Sequence, residues 1–166
     1  VRHSTALHGL TRKGEPYMVG PMARYANNYD QLSDLAKQLA AELGLDEVCR
    51  NPFKSILVRM VETAYVCEEA LRICEAYEEP ERSSVPFAVT AGVGHGATEA
   101  PRGICYHRYR VDDDGRIVDA RIIPPTSQNQ PQIEADLRGV VQANLQLAND
   151  ALQWRCEQTI RNYDPC

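Results

Sequence analysis

The chain has 166 residues, of which 43% are apolar and 25% charged, so its length and composition suit one globular domain with a hydrophobic core. Its formal net charge of −5 argues against nucleic acid as a partner, because surfaces that bind nucleic acid are basic. No apolar run approaches the roughly 20 residues of a membrane-spanning helix, and no signal peptide is visible.

Six cysteines are spread along the chain without a C-x-x-C pair. This spacing, with no secretory signal, argues against a disulfide framework and favours a reducing, cytoplasmic setting. The last cysteine, Cys166, ends the chain directly after Asp164 and Pro165. We therefore expect the chain to be part of a longer protein.

Residues 1–28 hold three glycines, two prolines and scattered aromatic residues, a composition that predicts loops and short turns. His3 and His8 could ligate a metal. No further ligand at a metal-binding spacing accompanies them, so hydrogen-bonded or exposed histidines are the better interpretation.

Two amphipathic helices are predicted next, over residues 30–43 and 52–78. Asp30 suits the N-cap of the first helix and Gly44 its end, while Pro52 suits the start of the second. An apolar stripe at helical spacing in the second helix is expected to face the core, with its cysteines as small hydrophobic residues. The stripe consists of Phe53, Ile56, Leu57, Met60, Ala64, Cys67, Leu71 and Cys74.

Residues 83–98 are rich in glycine and predict a mobile loop. Gly92, Gly94 and Gly96 surround His95 in a pattern that could suggest phosphate binding. The pattern lacks the spacing of the dinucleotide-binding fingerprint and the lysine of a P-loop, so a loop that leads into the next segment is the better interpretation.

The β-branched and aromatic residues at 104–111 and 116–123 predict an antiparallel hairpin. The linker consists of three aspartates and Gly115, and Asp-Gly between two such runs is a strong hairpin signal. A calcium loop would need alternating acidic residues and a bidentate glutamate, so a polar turn explains the aspartates better.

Both ends of the hairpin carry stiff corners. Arg102 lies between Pro101 and Gly103, and Pro124 and Pro125 follow the second strand. Because a hairpin brings its two ends together, Arg102 and Thr126 are expected to be neighbours in space.

The helical period returns over residues 131–162, where Asn149 and Asp150 predict a kink or a new N-cap and Cys156 lies in an apolar row. Pro165 should end this helix and leave Cys166 at its end. The expected fold is α+β and mainly α, a helical bundle around one antiparallel β-hairpin. It forms a single domain over residues 1–166 with segments 1–28, 29–82, 83–130 and 131–166.

Several motifs follow one another in a fixed order: HSTALH at 3–8, PYMVGPMAR at 16–24, EAPRG at 99–103, His107, PPTSQN at 124–129 and DPC at 164–166. Together they resemble the C-terminal portion of a nickel–iron hydrogenase large subunit of the soluble, cytoplasmic, NAD(P)- or F420-linked type. The resemblance implies reversible oxidation of H₂, a nickel–iron centre whose iron carries cyanide and carbon monoxide, and electron transfer to an iron–sulfur partner subunit.

The resemblance also implies roles for individual residues. Cys166 matches a terminal nickel ligand, and Arg102 matches the arginine that faces the open metal position and a cyanide. Asp164 matches the carboxylate that holds this arginine, and Thr126 matches a hydroxyl that donates to the other cyanide.

Four further positions match the surroundings of that centre. Pro101 and Pro125 match apolar residues that line the pocket. Glu99 and His107 match structural positions to which no catalytic step is assigned.

The resemblance implies four cysteine thiolates in the metal site, and only Cys166 of these is present. We therefore predict that the 166-residue chain alone holds no nickel–iron centre and turns over no hydrogen. In the full-length subunit the Cys166 thiolate is expected to accept the proton, with Arg102 as its electrostatic partner, because an arginine guanidinium stays protonated.

Two other functions stay open. A homologous subunit of quinone-reducing respiratory complexes has lost the metal cysteines and forms a quinone site, but it would have no use for Cys166. A helical interaction module without chemistry would leave both Cys166 and the corner around Arg102 unexplained.

Overall fold

The structure, a computed structural model, describes residues 8–165 as helices packed with one antiparallel sheet. The elements are α1 (Pro21–Asn28), α2 (Asp34–Glu42), α3 (Ser55–Glu75), β1 (Gly92–Ala100), β2 (Gly103–Val111), β3 (Ile117–Ile123), α4 (Pro125–Ala143) and α5 (Asn149–Arg161). Short 3-10 turns at Tyr29–Gln31 and Pro52–Lys54 precede α2 and α3. This architecture confirms the predicted α+β, mainly helical fold class. No helix within residues 8–165 is long and apolar enough to cross a membrane.

Helix α1 corrects the prediction that residues 1–28 form only loops. Pro21 occupies its first turn, where a proline loses no helical hydrogen bond, and Tyr25 is buried on its inner face. Of the two histidines considered as ligands, His8 is exposed and His3 lies outside the described residues.

The ends of α2 follow local side-chain chemistry. Ser33, rather than the predicted Asp30, is its N-cap, since its side chain accepts a hydrogen bond of 3.2 Å from the backbone N–H of Ala36. The predicted end at Gly44 is confirmed: Gly44 has φ +62°, and the N–H of Leu45 donates to the carbonyl of Ala40 at 3.0 Å.

The buried face of α3 differs from the predicted stripe. Val58 and Val61 are fully buried and join a core cluster from α1, α2 and the loop after α2. Ile56 and Leu71, by contrast, are each 60% exposed, and Cys67 and Cys74 are exposed rather than in the core. A helix with apolar residues on two faces buries the face that α1 and α2 cover, and periodicity alone does not indicate which face that is. The core cluster consists of Tyr25, Ala36, Ala40, Leu45, Cys49, Val58 and Val61.

The sheet has three strands in the order β1-β2-β3. Its β2–β3 hairpin confirms the prediction. The side chain of Asp112 accepts hydrogen bonds from the N–H groups of Asp114 and Arg116, at 3.1 and 2.8 Å, so this aspartate orders the turn. Strand β1 is a correction, because residues 83–98 were predicted to be a mobile loop and Gly92–Ala100 instead pairs with β2 along its whole length.

Helix α4 starts at Pro125, six residues before the predicted start, and Pro131 lies inside it. Pro124 is extended and serves as the N-cap, so Pro125 enters the helix at the position that suits proline. The predicted break is confirmed, since α5 begins at Asn149. Cys156, predicted in the core, is only half-buried.

Candidate functional site

The backbone on either side of Arg102 is in close contact with the segment that leads into α1. A Cβ on Gly20 would lie 2.6 Å from the carbonyl oxygen of Arg102, and a Cβ on Gly103 would lie 2.8 Å from the backbone nitrogen of Gly20. Both glycines have positive φ, +108° and +134°. This close approach of the two backbone segments requires glycine at both positions.

The guanidinium of Arg102 is held by Asp164, at the other end of the chain. Nε of Arg102 donates to the backbone carbonyl of Asp164 at 2.7 Å and lies 3.0 Å from Oδ2, while Nη2 donates to Oδ1 at 3.3 Å. Nη1 of Arg102 has no hydrogen-bond acceptor within residues 8–165. Asp164 therefore fixes one edge of the guanidinium. Because 38% of the Arg102 side chain is exposed, another edge can donate hydrogen bonds outward.

Asp164 itself is placed by an uncommon backbone conformation and by its neighbours. It has φ +49°, in the left-handed region that aspartate tolerates better than most residues. Nη1 of Arg59 lies 3.8 Å from its Oδ2, so two cations share one carboxylate.

Tyr163, the residue before Asp164, is buried, and its hydroxyl donates to Oδ2 of Asp136 on α4. Burial raises the pKa of Tyr163 well above its ordinary value, and the hydrogen bond to Asp136 raises it further. Gln132 donates to the other oxygen of Asp136 at 2.9 Å. The segment that follows α5 is therefore tied to α4 immediately before Asp164.

A small cleft of about 20 Å³ lies beside Arg102. Nδ2 of Asn162 on its wall is buried and donates to no acceptor among the described residues. Two kinds of nitrogen donor, from Arg102 and Asn162, therefore occur together, a combination suited to an anionic group. The lining is formed by Met18, Val19, Pro21, Met22, Ser55, Arg59, Arg102, Asn129, Asn162 and Tyr163.

The corner after β3 lies at the same end of the sheet as Arg102, because Ile123 pairs with Tyr106 near the start of β2. Pro125 is buried and Thr126 is half-buried in the first turn of α4. Neither lines the cleft beside Arg102. The convergence of Arg102 and Thr126 on one pocket stays a prediction.

Gln128 and Asn129 fix this corner, a role that their place in the PPTSQN motif did not reveal. Gln128 is fully buried, donates to the carbonyl of Ile104 at 2.6 Å and accepts from the hydroxyl of Tyr17 at 3.1 Å. The side-chain amide of Asn129 accepts from the N–H of Val19 at 2.8 Å and donates to its carbonyl at 3.1 Å. The first turns of α4 thus bind both the hairpin and the segment before α1.

Three other sequence candidates lie on the sheet side of Arg102. Pro101 is exposed, and its carbonyl accepts a hydrogen bond of 2.8 Å from Arg24. Glu99 binds the same arginine at 2.6 Å. Nδ1 of His107 lies 3.0 Å from the hydroxyl of Tyr109, and the two aromatic rings are stacked. Both contacts fit a structural role for His107 within the sheet.

Cys166, the candidate metal ligand, lies outside the described residues. Within residues 8–165 no group of three or more His, Cys, Asp or Glu side chains could hold a metal ion.

Comparison with known proteins gives one family. The model of the nickel-dependent hydrogenase family matches residues 11–166. The alpha subunit of sulfhydrogenase 1 from Pyrococcus furiosus is 35% identical over 169 residues, covering 100% of this chain and 39% of the relative. An iron-sulfur subunit of an F420-non-reducing hydrogenase from Archaeoglobus profundus is 32% identical over 161 residues, covering 90% of this chain and 32% of the relative.

Among solved structures, an NAD⁺-reducing NiFe hydrogenase in the H₂-reduced state superposes with a TM-score of 0.70 at 26% identity. The match covers 93% of this chain and 36% of that one, so the chain spans less than two fifths of the length of these relatives. The resemblance in the motifs is confirmed: this chain belongs to the nickel-dependent hydrogenase family.

Proposed function

We propose that this chain forms part of the hydrogen-activating subunit of a nickel–iron hydrogenase. The full-length subunit would catalyse reversible heterolytic oxidation of H₂ to two protons and two electrons. The electrons would pass to an iron–sulfur partner subunit. The observation that carries this proposal is the Arg102–Asp164 pair. Asp164, which lies two residues before Cys166 in the sequence, fixes the guanidinium of Arg102.

The described residues fit the surroundings of a nickel–iron centre that bears anionic cyanide. Nη1 of Arg102 and Nδ2 of Asn162 are donors without a described acceptor, and anionic ligands need such donors. Cys166 would hold nickel through its thiolate, a soft ligand that suits this metal better than a carboxylate does. When bound, the centre would supply the electron-accepting and hydride-accepting chemistry that no amino-acid side chain provides.

The chain's own residues would manage the proton and the charge. The Cys166 thiolate would accept the proton at its sulfur atom. The guanidinium of Arg102 would stabilise the negative charge nearby, with its orientation fixed by Asp164. Thr126 would donate its hydroxyl to a cyanide, and Pro101 and Pro125 would keep the pocket apolar.

We also propose that the full-length protein works in the cytoplasm and that the 166-residue chain alone is inactive. Four thiolates are needed for the centre, and Cys166 is the one candidate that the resemblance identifies here. We propose NAD(P) rather than F420 as the electron acceptor. One solved relative is an NAD⁺-reducing hydrogenase, and the relative from Archaeoglobus profundus is named F420-non-reducing.

The test is metal analysis and H₂-dependent dye reduction of the full-length subunit with its natural partners. We expect nickel to be present, with iron in excess of it because the iron–sulfur partner also contains iron, and loss of both nickel and activity in Cys166→Ser. Cys74→Ser is the matched control, since Cys74 is an exposed cysteine on α3 and should keep metal and activity. Protein that contains no nickel and takes up no hydrogen would contradict the proposal and favour the quinone-site alternative.

A further inference from the structure

Arg24 on α1 donates five hydrogen bonds, which go to Glu62 and to the corner before Arg102. Its Nε and Nη2 donate to the two carboxylate oxygens of Glu62 on α3, at 2.5 and 2.9 Å. Its Nη1 donates to Glu99 on β1 at 2.6 Å. One guanidinium therefore joins α1, α3 and the sheet.

The remaining donors of Arg24 bind main-chain atoms. Nη1 donates to the carbonyl of Ala100 at 2.9 Å, and Nη2 donates to the carbonyl of Pro101 at 2.8 Å. Arg24 thus contacts three consecutive residues, and the next residue in the chain is Arg102. These carbonyls belong to the two residues directly before Arg102. By binding both of them, Arg24 sets the direction in which the backbone enters Arg102.

The same helix also fixes the chain after Arg102. Gly20, the N-cap of α1, packs against the carbonyl of Arg102, and no side chain would fit between them. The backbone of Arg102 is therefore held by α1 on both sides, while its guanidinium is held by Asp164.

Arg24 is itself firmly held. Its side chain is 24% exposed and that of Glu62 is 26% exposed, so the bidentate pair is largely shielded from water. The hydrogen bond to Glu62 raises the pKa of Arg24, which burial alone would lower. Arg24 stays charged, and its planar fork satisfies four acceptor groups at once, which the ammonium of a lysine cannot do.

We propose that Arg24 is a positioning residue for hydrogen activation, which acts by fixing the backbone of Arg102 so that its guanidinium meets the metal centre correctly. This inference rests on the proposed function. No hydrogen bond or ion pair within residues 8–165 joins the side chains of Arg24 and Arg102, so Arg24 would act through the main chain.

The test uses Arg24→Lys in the full-length subunit with its partners. Arg72→Lys is the matched control, because the Arg72 side chain pairs with Glu69 on an exposed part of α3 and makes no other hydrogen bond or ion pair within residues 8–165. A displacement of about 1 Å at a catalytic group can cost about 100-fold in rate, so we expect kcat of Arg24→Lys to fall by about 10-fold to 100-fold. The KM for H₂ and the nickel and iron content should change little.

Two measurements separate positioning from general support of the fold. The infrared bands of the cyanide ligands should shift in Arg24→Lys and stay unchanged in Arg72→Lys, because Arg102 would donate differently. In an Arg102→Lys background, Arg24→Lys should cause no further shift of these bands. An equal effect in both backgrounds would overturn the inference.

Glu99→Gln provides a milder variant in case Arg24→Lys does not fold, since the Glu99 side chain is 53% exposed. It should shift the cyanide bands in the same direction by a smaller amount. If the wild type binds metal and oxidises H₂ but neither Arg24→Lys nor Glu99→Gln differs from Arg72→Lys, the inference is wrong and the proposed function stands. If the wild type does neither, the proposed function itself fails.

Discussion

Asp164 binds Arg102 through its main chain as well as its side chain. The shorter hydrogen bond, 2.7 Å, goes from Nε of Arg102 to the backbone carbonyl, and the carboxylate adds an ion pair at 3.0 Å. Asp164, three residues after the last residue of α5, has φ +49°, in the left-handed region. Both the main chain at residue 164 and the charge of its side chain therefore contribute to the orientation of Arg102.

Replacing Arg102 by lysine in the full-length subunit should lower H₂ turnover by about 100-fold or more, since removal of one well-placed donor to a developing charge costs that much in other enzymes. A lysine keeps the positive charge but lacks the planar guanidinium. It therefore cannot bind Asp164 with one edge and donate hydrogen bonds outward from another edge. The measurement is dye reduction with metal analysis of the same sample. Unchanged turnover with intact metals would remove Arg102 from the mechanism.

Asp164→Asn and Asp164→Ala should differ, because the two variants remove different parts of the contact. Asparagine tolerates the left-handed region and keeps the carbonyl in place, so it loses only a partly exposed ion pair, worth about 1 kcal/mol or less. Alanine loses the ion pair and also strains the backbone, by about 1–2 kcal/mol. We expect a larger fall in turnover for alanine in the full-length subunit. Equal losses would show that the charge alone matters.

Gly103→Ala should destabilise the corner that carries Arg102. Its φ of +134° is unfavourable for alanine, and the new Cβ would lie 2.5 Å from Cγ2 of Val19. Gly139→Ala is the control, because Gly139 lies in α4 with no atom within 4 Å of the added Cβ, and there alanine should stabilise by about 0.5–1 kcal/mol. Thermal unfolding of the two full-length variants should therefore shift in opposite directions. A neutral Gly103→Ala would contradict the close packing.

Sequence signals predicted the features that depend on neighbouring residues. The Asp-Gly turn of the hairpin, the helix end at Gly44 and the break before Asn149 each follow from the conformational preference of one or two residues, and all three are present. The arginine corner was also singled out from its flanking Pro101 and Gly103.

The features that were missed depend on residues far apart in the chain. Strand β1 contains three glycines that disfavour strands, and it is ordered by pairing with β2. The buried face of α3 is selected by α1 and α2. Arg24 binds Glu62 and Glu99, which are 38 and 75 residues away, so no local pattern could indicate that it contacts the corner before Arg102.

The hydroxyl of Tyr163 should make stability depend on pH in the alkaline range. Burial, and then the hydrogen bond to Asp136, raise the pKa of Tyr163 in the folded state above its unfolded value of about 10. Above about pH 10 the unfolded state releases this proton and the folded state keeps it, so the stabilisation is complete below that pH and declines as the pH rises further.

Tyr163→Phe in the full-length subunit isolates this effect, because it keeps the ring and removes the hydroxyl. Near neutral pH the wild type should be more stable by about 1.5–3 kcal/mol, the contribution of a hydrogen bond to a charged group. This difference should be the same at about pH 7 and about pH 9 and should shrink by about pH 11. Denaturant midpoints of both proteins at the three pH values provide the measurement. If the stability difference between wild type and Tyr163→Phe instead grew at alkaline pH, the predicted direction of the pH dependence would be wrong. The folded state would then not hold the hydroxyl in its protonated form.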